Sequence, residues 1–145
     1  MLARLDTIIR LIACRKAAAA VEFALVIPIF LVMLFGIVSF GAYLTVVHGV
    51  QQLAAEATRA AVAGLSDDER VTLAQNNIAG NIGSYPLLSS GRLTLTSAAT
   101  DPASNNFSVT LRYDASNMFV FNLPSFVPAP SPVVVRSASI QRGGY

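Results

Sequence analysis

Residues 23–47 read FALVIPIFLVMLFGIVSFGAYLTVV, twenty-five consecutive positions without a formal charge. As an α-helix this run extends about 37 Å, more than the roughly 30 Å hydrocarbon core of a bilayer. A secretory signal carries an apolar core of only about 7–15 residues before a small-residue cleavage site. The run is too long for that and has the length of a membrane-spanning helix. Pro28 lies early in it. A proline there removes one backbone hydrogen bond and favours a kink, which helices in membranes tolerate.

The flanks orient the segment. Arg4, Arg10, Arg15 and Lys16 precede it against the single Asp6, and no cation follows until Arg59. Positive residues stay cytoplasmic, so a single pass with the N-terminus in the cytoplasm and the C-terminal part exported is expected. Cys14, in Leu11-Ile12-Ala13-Cys14, imitates a lipoprotein cleavage box, but Asp6 and Arg10 interrupt the apolar stretch before it. It reads as a bystander thiol in a basic leader, residues 1–17.

Composition divides the chain in two. Of the first 65 residues 45 are apolar, against 33 of the remaining 80. Charged residues are 12% of the whole, about half the usual share. This excludes a simple soluble globule, a disordered chain and a multi-span channel. Beyond the leader there are six Arg, no Lys and seven carboxylates. Nucleic-acid binding needs clustered cations to displace counterions, so no nucleic-acid partner is expected.

The helical pattern continues past the membrane run. Val50, Leu53, Ala57, Ala60 and Gly64 follow one another at helical spacing, opposite Gln52, Glu56 and Arg59. A helix over residues 18–64 is expected, lipid-soluble in its first part (about 23–47) and amphipathic in its second. Gly41, Thr45 and Gly49 form a small-xxx-small ladder of the kind that lets helices approach in lipid.

Glu22 stands at the head of the apolar run. A charge at that depth costs a few kcal/mol and is usually paired or functional. Snorkelling to the interface beside Arg15 and Lys16 is the simpler alternative. The stretch Arg15-Lys16-Ala17-Ala18-Ala19-Ala20-Val21-Glu22-Phe23-Ala24-Leu25-Val26 resembles the start of TadE-like proteins, minor pseudopilins of the tight-adherence (Tad, or Flp) pilus system. The resemblance runs to about residue 64 through Gln51-Gln52-Leu53-Ala54-Ala55-Glu56-Ala57-Thr58-Arg59-Ala60-Ala61.

The resemblance implies a prepilin-type cut between Ala17 and Ala18, five residues before Glu22. Ala17 stands where such chains usually carry glycine. The freed amine of Ala18 would offer a cation to the Glu22 of a neighbouring subunit, making Glu22 an assembly register. The partners implied are the major Flp pilin, other minor pseudopilins, the prepilin peptidase, the inner-membrane Tad assembly platform and the lipid bilayer.

Residues 65–145 read as an exported α+β domain. Ser66 and Glu69 form a capping box, and Val71, Ala74, Ile78 and Ile82 mark a short amphipathic helix closing at Gly83 or Ser84. Asp67, Asp68 and Glu69 diverge around the helix start and favour its dipole rather than a metal. Arg92–Thr96, Phe107–Tyr113 and Val133–Gln141 read as antiparallel strands, the third of ambiguous facing. Asp101-Pro102 and Asn105-Asn106 supply turn chemistry between the first two. Met118-Phe119-Val120-Phe121 reads as a further short strand packed on the helix, with a docking patch as the alternative. The prolines at 124, 128, 130 and 132 stiffen the loop that follows.

His48 is the only histidine, and no nucleophile–base pair, phosphate loop or cofactor motif is present. The expected molecule is a structural subunit: a bacterial inner-membrane pseudopilin with a periplasmic α+β domain of three to four strands, resembling the general pilin plan. The resemblance implies roles in pilus assembly, adhesion and biofilm formation. An uncleaved, single-pass membrane-anchored periplasmic binding module is the alternative.

Overall fold

A computed structural model describes residues 15–125 and 127–141. Cys14 and the leader cations Arg4 and Arg10 lie outside the described residues. The chain is α+β, with a long helix, a short helix and a three-stranded antiparallel sheet among the described residues. It divides into two compact units, residues 1–38 and 39–145.

Helix α1 spans Arg15–Ala61 and runs unbroken through Pro28. Its end is tightened by Val62 N–H donating to the Arg59 carbonyl at 3.2 Å and Gly64 N–H to the Ala61 carbonyl at 3.0 Å. Helix α2, Asp67–Asn81, starts on Ser66, whose Oγ accepts from Glu69 N–H at 3.2 Å. The Glu69 carboxylate reaches back one residue further than in a simple capping box. It accepts from Leu65 N–H at 2.8 Å. All three carboxylates of this first turn sit near the positive end of the helix dipole. Two of them are in structural bonds: Glu69 as above, and Asp67, which accepts from Arg70 Nη1 at 3.0 Å and Thr100 Oγ1 at 2.8 Å. A 3-10 turn over Ile82–Ser84 closes the segment.

Strands β1 (Leu93–Asp101), β2 (Asn106–Asp114) and β3 (Val133–Gln141) pair antiparallel in the order β1-β2-β3. Strict alternation puts Phe107, Val109, Leu111 and Tyr113 of β2 on the inner face, all buried. In β1 the register slips between Leu95 and Ser97, leaving Thr96 as the extra residue of a bulge. The inward set therefore changes from Leu93 and Leu95 to Ala98 and Thr100. Without the extra residue a period of two would have turned Ser97 and Ala99 to the core. In β3 the inward set is even-numbered. Val134 is buried, while Val135 is 48% exposed.

The core of the second unit joins this inner face to the later turns of α1. Val46, Val50, Leu53, Ala54, Ala57 and Ala61 have no exposed surface, and cluster with Phe107, Val109 and Leu111. Small alanines on the helix meet large side chains on the sheet, which lets the two faces approach closely. Full burial of side chains such as Leu53 or Phe107 contributes about 1.5–3 kcal/mol each. The stripe expected from the sequence is thus present: Val50, Leu53, Ala57 and Gly64 are buried, while Ala60 is half-buried and Ala61 beside it is fully buried. Gln51 Nε2 donates to the Ser137 carbonyl at 3.2 Å and ties β3 to α1, while Thr58 Oγ1 donates to the Ala54 carbonyl of its own helix at 2.6 Å and lies 3.3 Å from the Ala138 carbonyl.

Residues 118–121 correct the expected short strand. Phe119–Asn122 is a 3-10 turn. The local backbone is already committed: Ser116 N–H bonds Asp114 Oδ1 at 2.9 Å, Met118 N–H the Ala115 carbonyl at 2.9 Å, and Phe121 N–H that of Met118 at 3.1 Å. Amides spent on turns are not free to pair along a sheet edge. Val120 is buried, and Phe121 meets Tyr43 edge-on with ring centroids 6.3 Å apart.

Candidate membrane and assembly site

Every residue from Ala18 to Leu31 is exposed, and from there to Val38 only Val32 and Gly36 are half-covered. The exposed side chains are large and apolar, reaching 65% at Phe23, 68% at Leu25 and 70% at Ile37. A contiguous apolar surface of this kind marks contact with lipid or another protein. Ser39, 5% exposed, is the first buried residue along α1. Val46, Val47, Gly49 and Val50 beyond it are covered by their own domain.

The run of exposed large apolar side chains is therefore Val21–Val38, shorter than the uncharged run 23–47. At 1.5 Å per residue it extends about 27 Å, close to the hydrocarbon thickness of a bilayer. Among the described residues one helix is long and apolar enough to cross a membrane, within Ala18–Ala61.

Glu22 lies at the first turn of this stretch and is exposed. Ala18 is four residues before it, one helical turn away on the same face. Side chains on a helix lean toward its N-terminus, so the Glu22 side chain leans toward the level of Ala18. Arg15, Lys16 and Ala17 belong to the opening turn of α1.

The Gly41-Thr45-Gly49 ladder does not stay intact as a free face. Gly41 and Thr45 are exposed, and Thr45 Oγ1 donates to the Gly41 carbonyl at 2.9 Å. Gly49 is buried instead, and a Cβ there would meet Leu88 Cδ1 at 3.3 Å and Tyr85 Cδ1 at 3.5 Å. Its small size is used inside the domain. His48 is exposed on α1.

Tyr85, half-buried beside α1, has its hydroxyl pushed up to about 12. Burial is the main cause, with a hydrogen bond to Glu56 and the negative charge of Glu56 adding to it. Nothing in the sequence pairs these two residues, because they lie 29 positions apart across a turn of the chain.

Residues 17–59 match the TadE-like protein family. The match ends two residues before the last of α1, so it covers most of the helix and none of the sheet. No curated protein and no solved structure matches the chain. The TadE-like segment thus contains Glu22, the lipid-length stretch and the alanine stripe that receives the sheet.

Proposed function

We propose that this protein is a minor pseudopilin-like structural subunit for assembly of a Tad (Flp) pilus. In this reading α1 holds the chain in the bacterial inner membrane, with the leader cytoplasmic and residues 65–145 periplasmic. The prepilin peptidase cuts between Ala17 and Ala18. The new amine then pairs with Glu22 of an adjacent major or minor pilin, and the assembly platform moves the subunit out of the bilayer. Adhesion and biofilm formation follow from the fibre it helps to build.

The observation that carries this reading is a TadE-like segment in which one carboxylate heads about 27 Å of uncovered apolar helix. An unpaired charge at a membrane edge is costly, and pairing it in only one axial position between subunits turns that cost into a register. A helix whose apolar surface is satisfied by lipid can exchange lipid for neighbouring helices without refolding its domain. Along the helix the first buried residue is Ser39 and the core cluster begins at Val46.

Mass spectrometry of protein extracted from membranes tests the processing step, with an N-terminus at Ala18 expected. Glu22→Ala is expected to insert normally and to lose incorporation into sheared pili or the basal complex. Wild-type incorporation of Glu22→Ala would refute the register.

A further inference from the structure

The sheet packs its inner face on α1 and turns the other face outward. On that outer face β2 places Ser108, Thr110, Arg112 and Asp114 in line, since side chains two apart along a strand share a face. Strand pairing sets Thr110 between Ser97 and Ser137, and Ser108 between Ala99 and Ser139. These two rows are short and uncharged, and every side chain in them is exposed or half-buried. Thr110 Oγ1 donates to Ser137 Oγ at 3.1 Å, so hydroxyls run from strand to strand.

Opposite charges meet at one end of this face. Arg112 lies opposite Thr94 on β1 and Val135 on β3, and Asp114 follows it two residues later. Arg92 belongs to the 3-10 turn Ser90–Arg92 that leads into β1, and its Nη1 is 3.9 Å from Asp114 Oδ2. Arg92, Thr94, Arg112, Asp114 and Ser116 line an open groove of about 810 Å³.

The fold leaves donors open in this groove. A separation of 3.9 Å is longer than a hydrogen bond, so attraction to Asp114 does not occupy the N–H groups of Arg92. Arg112 is exposed, and its guanidinium meets no hydrogen-bond acceptor among the described residues. Asp114 is held differently, with Ser116 N–H donating to its Oδ1 at 2.9 Å. Hydrogen bonds from Ser116, and then the charges of Arg92 and Arg112, hold its carboxyl below the usual carboxylate range. A carboxylate offers about four acceptor positions, so capacity remains after the Ser116 bonds.

This combination selects a ligand class. Guanidinium forks with open donors match a planar carboxylate. The Asp114 carboxylate beside them repels a dense anion such as phosphate but accepts from hydroxyl groups. Thr94 and Ser116 add hydroxyls that both donate and accept. Val135, next to Arg112 and 48% exposed, supplies an apolar surface for C–H groups. A sugar acid has the matching parts: one carboxylate, several hydroxyls and an apolar ring face. Nucleic acid requires many clustered cations, which two arginines beside a carboxylate do not supply.

We propose that the groove bounded by Arg92, Arg112 and Asp114 is a binding site for an acidic polysaccharide built of uronic-acid units. Arg92 and Arg112 take the carboxylate of one unit, and Asp114 accepts from its ring hydroxyls. Neighbouring units lie along the row Ser97, Thr110 and Ser137. The site belongs wholly to the 39–145 unit and is independent of the membrane anchor and of pilus assembly.

Isothermal titration calorimetry of full-length protein in detergent, at about 0.15 M salt, tests the site. The probes are trigalacturonate, maltotriose as the uncharged trisaccharide, and a short single-stranded DNA. Trigalacturonate is expected to bind about tenfold or more tightly than either of the others. Arg112→Gln and Arg92→Gln should each weaken it about tenfold. Arg59→Gln, the same charge change at an exposed position of α1, should leave it unchanged. Asp114→Ala should weaken it roughly threefold through loss of the hydroxyl acceptor. Near-ultraviolet circular dichroism checks the fold of each variant.

Absence of heat with millimolar trigalacturonate would overturn the site. So would equal losses in Arg112→Gln and Arg59→Gln. Equal binding of maltotriose would overturn the role of the carboxylate, and equal binding of DNA would replace the sugar acid by polyanions in general. Tighter binding to Asp114→Ala would overturn the role of Asp114.

Discussion

Replacing Gly64 by alanine tests how the two helices are joined. A Cβ at Gly64 would lie 2.7 Å from Arg70 Cγ, 2.9 Å from the Arg70 backbone nitrogen and 3.1 Å from its Cα. Neither neighbour yields easily. The Arg70 amide donates to the Ser66 carbonyl at 3.0 Å as part of the α2 cap, and its guanidinium is held by Asp67 at 3.0 Å. Forcing a methyl into a filled site costs about 1–3 kcal/mol. In a unit of about 100 residues each kcal/mol shifts the midpoint of melting by roughly 4–8 °C, so a fall of about 5–20 °C is expected. The assay is thermal unfolding of detergent-solubilised full-length protein, followed by near-ultraviolet circular dichroism of the tyrosines. Arg70→Ala in the same chain removes Cγ but not the backbone nitrogen, so the double variant should still melt below Arg70→Ala alone. A Gly64→Ala melting curve matching the parent, or complete relief by Arg70→Ala, would refute the reasoning.

Gly41 has no atom within 4 Å of an added Cβ, so Gly41→Ile should leave the melting midpoint unchanged and reduce helix–helix association, measured by cross-linking in membranes. Leu53, fully buried in the core, should cost about 2–5 kcal/mol when truncated to alanine, read as a lower midpoint in denaturant. Tyr85 titrates near 12 when folded against 10.0 for an unperturbed tyrosine. Its contribution is therefore complete below pH 10 and is lost as pH rises toward 12. Absorbance at tyrosinate wavelengths should show a late ionisation step that Tyr85→Phe removes, and Glu56→Gln should bring that step to lower pH.

The sheet illustrates what a period of two conveys and where it stops. Phe107, Val109, Leu111 and Tyr113 alternate with polar neighbours, and their burial follows directly. Val133-Val134-Val135 carries no such contrast, so its facing was settled by pairing with β2, where Val134 lies opposite Tyr113. Thr96 is a good strand residue with no local mark of a bulge. The register slip comes from matching two inward sets across β1 and β2. Met118–Phe121 is apolar enough for a strand, yet turn bonds from Asp114 and Ala115 used the amides first. The capping box of α2 was legible because its chemistry lies within four residues.

The sequence alone determined the membrane helix, the carboxylate at its head, the α+β order and the TadE-like resemblance. Each rests on contiguous residues: length of an uncharged run, spacing along a helix, alternation along a strand. Tertiary structure alone decided where the lipid-length surface ends, since Ser39 to Val47 are uncharged in either setting and only the packed sheet distinguishes covered from open. It also decided that Gly49 serves the domain rather than a partner helix, and that Glu56 faces Tyr85. These are contacts between residues far apart in the chain, and they arise only when the sheet closes over the later turns of α1.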